Sequence, residues 1–137
     1  MIKLYQSCTP ALLTLLVAST GWSAELSLLR NFKHPGPSGL SYDDHYCGLW
    51  VANETRTIRL ITPWGEEIIS FQAPLSRVDA IAIDGDALVL SDGNGLYQRV
   101  DRNGQVLSEP FRMAGILMDT DGLTFDPITH DYWVADD

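Results

Sequence analysis

The chain has 137 residues, of which 45% are hydrophobic, and its 18 acidic against 9 basic side chains leave a net charge of −9. That length suits one ordinary domain, and the composition argues against a disordered or fibrous protein. A surface of this sign repels phosphate backbones, and no basic cluster offsets it, which argues against nucleic acid as a partner.

The first element is a targeting segment. Lys3 supplies a positive start, Ala11 to Ala18 form a short apolar stretch, and small residues follow at Ser19, Gly21, Ser23 and Ala24. This order predicts a secretory signal peptide over residues 1–23, since the apolar stretch is far shorter than the roughly 20 residues of a membrane-spanning helix. The expected mature chain, residues 24–137, is then secreted or periplasmic and not membrane-bound. Cys8 leaves with the signal, so Cys47 is expected as a lone thiol that packs as a small apolar residue, with no internal disulfide framework.

Past the signal the chain repeats. SGLSYDDHYCGLWVAN from Ser38, DAIAIDGDALVLSD from Asp79 and DGLTFDPITHDYWVADD from Asp121 each hold an alternating apolar run, a turn of Asp, Gly or Pro, and a second apolar run that reaches Asn or Asp. Alternation of period two predicts strands, and starts about forty residues apart point to propeller blades or solenoid repeats. Between them, RTIRLITPWGEEIISF and GLYQRVDRNGQVLSEPF read as strand, turn, strand. Gly65 and Gly104 mark the turns, and Asn103-Gly104 predicts a tight hairpin with positive φ at both positions. Each repeat thus carries four strands in an antiparallel meander, the content of one β-propeller blade.

The predicted architecture is all-β: an outer strand at 25–33, a blade at 38–72, a blade at 79–111 and half a blade at 121–137. The lone strand at 25–33 resembles the fourth strand of a blade and would close a ring. As closed propellers need roughly four to eight blades, this ring is incomplete, and the remaining blades are expected from the same longer chain or from oligomerisation.

Asp121-Gly122-Leu123, Phe125-Asp126-Pro127 and Tyr132-Trp133-Val134-Ala135-Asp136 resemble the blade pattern of NHL-repeat proteins, the gluconolactonase and senescence-marker family, and phytase-like esterases. In the gluconolactonase family the residue before such a Gly-Leu pair can face the channel and bind a divalent metal. The resemblance carries that role onto Ser38, Asp79 and Asp121, oxygen donors suited to Ca²⁺. The other reading of Asp79 and Asp121 is that they accept hydrogen bonds from backbone amides where the chain enters the inner strand. The family's amino-terminal glutamate ligand and its Asn-Gly-Leu have no match.

Asn53, Asp92 and Asp136 recur at the end of the second strand of each repeat, where short polar side chains tie down the following loop. Trp50 and Trp133 fall in equivalent strands and are expected to pack between blades. Trp64, in Pro63-Trp64-Gly65, is a possible surface contact for glycan or protein. Polar positions repeated in every blade favour a secreted binding module that recognises a small molecule, glycan or protein through its channel mouth or loops. The alternative is a Ca²⁺-dependent hydrolase of the lactonase or phytase-like type built on Asp79 and Asp121.

Overall fold

The computed structural model describes residues 36–113, 115 and 119–136, with backbone alone at Asp136. The expected signal segment and the outer strand at 25–33 lie outside these residues. All regular structure among the described residues is strand. The first sheet is a four-stranded antiparallel meander of β1 (Gly39–Asp43), β2 (Gly48–Ala52), β3 (Thr57–Ile61) and β4 (Glu67–Gln72). A three-stranded sheet follows, β5 (Ala80–Asp84), β6 (Ala87–Ser91) and β7 (Tyr97–Asp101), and then the hairpin β8 (Thr120–Asp126) and β9 (Asp131–Asp136).

The fourth strand expected at the end of the second blade is not continuous. Two isolated bridges replace it, Val100 with Val106 and Tyr97 with Phe111. Four residues lie between Val106 and Phe111 where β7 has only Gln98 and Arg99 between the partners, so the outer segment bulges. Pro110 has no amide proton to give the ladder, and the Gln98 side chain fills the gap by donating to the Ser108 carbonyl at 2.6 Å.

The outer turns also differ from the expected form. Gly104 has φ of +84°, whereas Asn103 is not in the left-handed region, and the Gly104 amide donates to the Asp101 carbonyl at 3.0 Å. Arg102 and Asn103 are therefore the two central residues of a turn followed by a left-handed glycine. Asp101 Oδ1 fixes it by accepting the amides of Asn103 and Gln105, each at 2.8 Å. The β3–β4 turn is built alike: Gly65 N–H donates to Thr62 O at 2.9 Å, and Thr62 Oγ1 accepts the amides of Trp64 and Glu66, each at 3.2 Å.

β5 lies beside β1 and β8 beside β5, so the first strand of each sheet stands next to its counterparts. The main core fills the gap between the first two sheets. Trp50, Ala52, Ile58 and Leu60 from one side meet Ile81, Leu88, Leu90 and Val100 from the other, closed over by Ala73, Leu75 and Val78 of the connecting link. Burial of these alternating side chains supplies the drive that holds sheet to sheet, at about 1.5–3 kcal/mol for each large aliphatic residue. Gly39 permits the approach: a Cβ there would lie 2.8 Å from the Asp79 carbonyl oxygen and 3.0 Å from Ala80 Cα.

Two further expectations are corrected. Cys47 is not a buried lone thiol; it occupies a left-handed turn position, φ +50°, is half-buried and is disulfide-bonded. Cys8, expected to leave with the signal, lies outside the described residues. Trp50 packs between sheets as expected, fully buried, but Trp133 is 64% exposed.

Candidate functional site

Of the residues singled out by their repetition, Ser38 and Asp79 stand just before β1 and β5, Asn53 and Asp92 just after β2 and β6, Asp121 is the second residue of β8 and Asp136 the last of β9. Most are engaged with the fold itself. Ser38 Oγ donates to the Val78 carbonyl at 3.4 Å and accepts the Glu54 amide at 3.2 Å, joining the entry of β1 to the loop after β2. Asn53 Oδ1 accepts the Thr55 hydroxyl at 2.6 Å, and Thr55 Oγ1 in turn accepts the Thr57 amide at 3.1 Å. Asp92 Oδ1 accepts the amides of Asn94 at 2.8 Å and Leu96 at 3.0 Å, an Asx-type closure of the β6–β7 loop. Asp136 has only its backbone described.

Asp79 is buried and paired with Arg77. Arg77 Nε donates to Oδ1 at 3.0 Å and Nη2 to Oδ2 at 2.5 Å. Burial pushes the Asp79 carboxyl above the usual carboxylate range; the Arg77 contacts pull it back only in part, and the negative charges of Glu54 and Asp92 push it further up. Arg77 is itself raised, by Asp79 first and also by Glu54 and Asp119. Three carboxylates, Asp79, Glu54 and Asp119, thus act on one guanidinium at this end of the molecule, and Asp92 acts on Asp79. The Asp119 amide also donates to the Gly93 carbonyl, at 2.5 Å, fastening the entry of β8 to the β6–β7 loop.

Ser38, Asp79 and Asp121 do not form an open ligand shell here. Ser38 and Asp79 both adjoin Val78, but the Asp79 carboxylate is occupied by Arg77, and Asp121 is exposed on β8. Among the described residues no group of three or more His, Cys, Asp or Glu side chains is placed to hold a metal ion. Trp64 is 63% exposed at the tip of the β3–β4 turn.

A second polar cluster escaped the sequence reading. Asp43, at the end of β1, is fully buried and accepts Trp50 Nε1 at 2.8 Å, Arg102 Nε at 2.8 Å and the His45 amide at 3.0 Å. Burial raises its carboxyl, but the Arg102 and Trp50 hydrogen bonds, the Arg102 charge and the His45 amide outweigh it, so it lies below the ordinary value. Its equivalent in the second sheet, Asp84, pairs with Arg99 at 3.0 Å and accepts the Tyr132 hydroxyl from β9. The recurring Asp at the last position of each first strand was the available signal. The arginines could not be assigned to it from spacing alone, since Arg102 lies 59 positions from Asp43.

This arrangement of meander sheets with adjoining inner strands matches known structures. A U3-55K structure aligns with TM-score 0.57 at 19% identity, covering 76% of this chain and 34% of that one. A structure of RRP9 WD40 repeats aligns with TM-score 0.57 and 19% identity, covering 76% and 33%. The fold is that of a β-propeller fragment. The chain spans about a third of the length of these structures. No protein-family profile and no curated protein matches it.

Proposed function

We propose that this chain is part of a secreted or periplasmic β-propeller that recognises a protein partner through the loop end of its inner strands, and that the partner presents basic side chains there. The observation that carries this reading is the use of the recurring polar positions. Ser38, Asn53, Asp79 and Asp92 are taken up by turn amides, loop hydroxyls or Arg77, which favours a scaffold for recognition over a reacting centre. Glu54 and Asp119 stand exposed beside them, within electrostatic reach of Arg77, in a chain of net charge −9. Such a surface attracts cationic segments and speeds their encounter.

The fold likeness to WD40 propellers supports an interaction module. The motifs around Asp121 and Trp133 favour the NHL-repeat and gluconolactonase-like group within propellers, and the apolar stretch at Ala11–Ala18 supports export.

The test is calorimetric titration of the full chain with an arginine- and lysine-rich peptide at low and physiological salt, beside the Glu54→Lys/Asp119→Lys variant. Salt-sensitive binding that the variant loses is expected. Binding equal in both proteins, or none, overturns the proposal.

A further inference from the structure

The β1–β2 and β8–β9 hairpins are copies of one another down to their polar side chains. Ser41 faces Trp50 and Asp43 faces Gly48 across the first; Thr124 faces Trp133 and Asp126 faces Asp131 across the second. In each, the Asp closes its own turn through Oδ1: Asp43 accepts the His45 amide at 3.0 Å, and Asp126 accepts those of Ile128 at 2.8 Å and Thr129 at 3.3 Å.

The other oxygen separates them. Asp43 Oδ2 accepts both Trp50 Nε1 and Arg102 Nε, whereas Asp126 meets only donors of its own turn, the Ile128 and Thr129 amides and the Thr129 side chain, with no indole or arginine reaching it among the described residues. Trp50 is fully buried and Trp133 is 64% exposed. Around Trp133, residues Gly122, Leu123, Thr124, Val134 and Ala135 line a shallow groove of about 390 Å³.

The chain itself displays what covers such a face. The second sheet packs on the first by laying its outer β-turn across it, with Arg102 reaching Asp43 and Gly104 seated against the Phe71 ring. We infer that the Asp126–Trp133 face is the docking site of a further four-stranded blade, of sequence outside residues 1–137, that presents an arginine at the first central position of its outer turn. Charge complementarity selects arginine: the amides of Ile128 and Thr129 hold the Asp126 carboxyl below its ordinary range, so it is ionised at neutral pH. A second copy of this chain does not fit. Its first blade has Pro63 where the second has Arg102, and its Arg102 is engaged at Asp43.

The test extends the full chain by repeating residues 55–111 directly after Asp137, aligning Asp136 with Asn53, so that β3 and β4 complete the third sheet and a copy of β5–β7 follows. Acrylamide quenching of Trp133 is read by difference from the Trp133→Phe variant. Quenching is expected to fall several-fold. It should stay high when only residues 55–75 are appended, and return with Arg102→Met in the appended copy or Asp126→Ala in the host. Trp133 as quenchable as in the parent, whether or not the extension folds, overturns the inference. So does protection indifferent to those substitutions, or protection in the parent that rises with protein concentration.

Discussion

Arg102, from the outer turn of the second sheet, donates through Nε to Asp43 of the first at 2.8 Å, with its side chain only 13% exposed. Removing the acid strands a largely buried guanidinium and leaves the Trp50 indole N–H without its acceptor. Asp43→Ala should therefore destabilise by about 3–5 kcal/mol, the cost of breaking a buried pair. Arg102→Met should cost less, about 1–3 kcal/mol, because Asp43 keeps two donors. Urea midpoints of the full chain decide this; equal, small losses for both would show that the pair is not what holds the sheets.

Acid should unfold the protein, with opposing contributions that single variants separate. The Asp43, Asp101 and Asp126 carboxyls lie below their ordinary values, so the folded state binds fewer protons than the unfolded chain. Their stabilisation is full above about pH 4, the unfolded value, and is lost as pH falls through the folded values. Asp79 is raised and acts in reverse, its cost being relieved on acidification. Urea midpoints between about pH 2 and 7 should fall more gently in Asp43→Asn and more steeply in Asp79→Asn.

Two glycines report on the fit between sheets. Gly39→Ala drives a Cβ into backbone atoms of Asp79 and Ala80, which cannot swing aside, and should cost about 1–3 kcal/mol. Gly104→Ala places a Cβ 2.4 Å from the Phe71 ring and also strains a residue at φ +84°. Phe71→Ala in the same chain should relieve the steric part alone. Thermal melting should then show the double variant losing less than the sum of the singles; strict additivity would place the Gly104 turn away from Phe71.

Tyr132 should ionise well above the ordinary tyrosine value. Burial, then the hydrogen bond and charge of Asp84, push its hydroxyl up to about 12, with Arg99 pulling the other way. A raised value means that its stabilisation is present below about pH 10 and is lost as pH rises through the folded value. Ultraviolet titration of the full chain against Tyr132→Phe should show the missing step near pH 12; a missing step near pH 10 would place the hydroxyl in water.

Strands, turns and the repeat were legible in the sequence because they rest on interactions a few residues long. Period-two alternation sets Ile81, Leu88 and Leu90 facing one way, and Asp92 and Asp101 meet amides only two and four positions on. Even there, the bulge before Phe111 needed the register of both strands to appear. What only the tertiary structure decided is which side chains meet across the gaps: Arg102 with Asp43, Tyr132 with Asp84, and Gly39 against Asp79. Trp50 and Trp133 state the point most directly. They occupy the same register position in matching hairpins, yet one is buried and the other mostly exposed, because burial belongs to whatever packs on a residue from elsewhere in the chain.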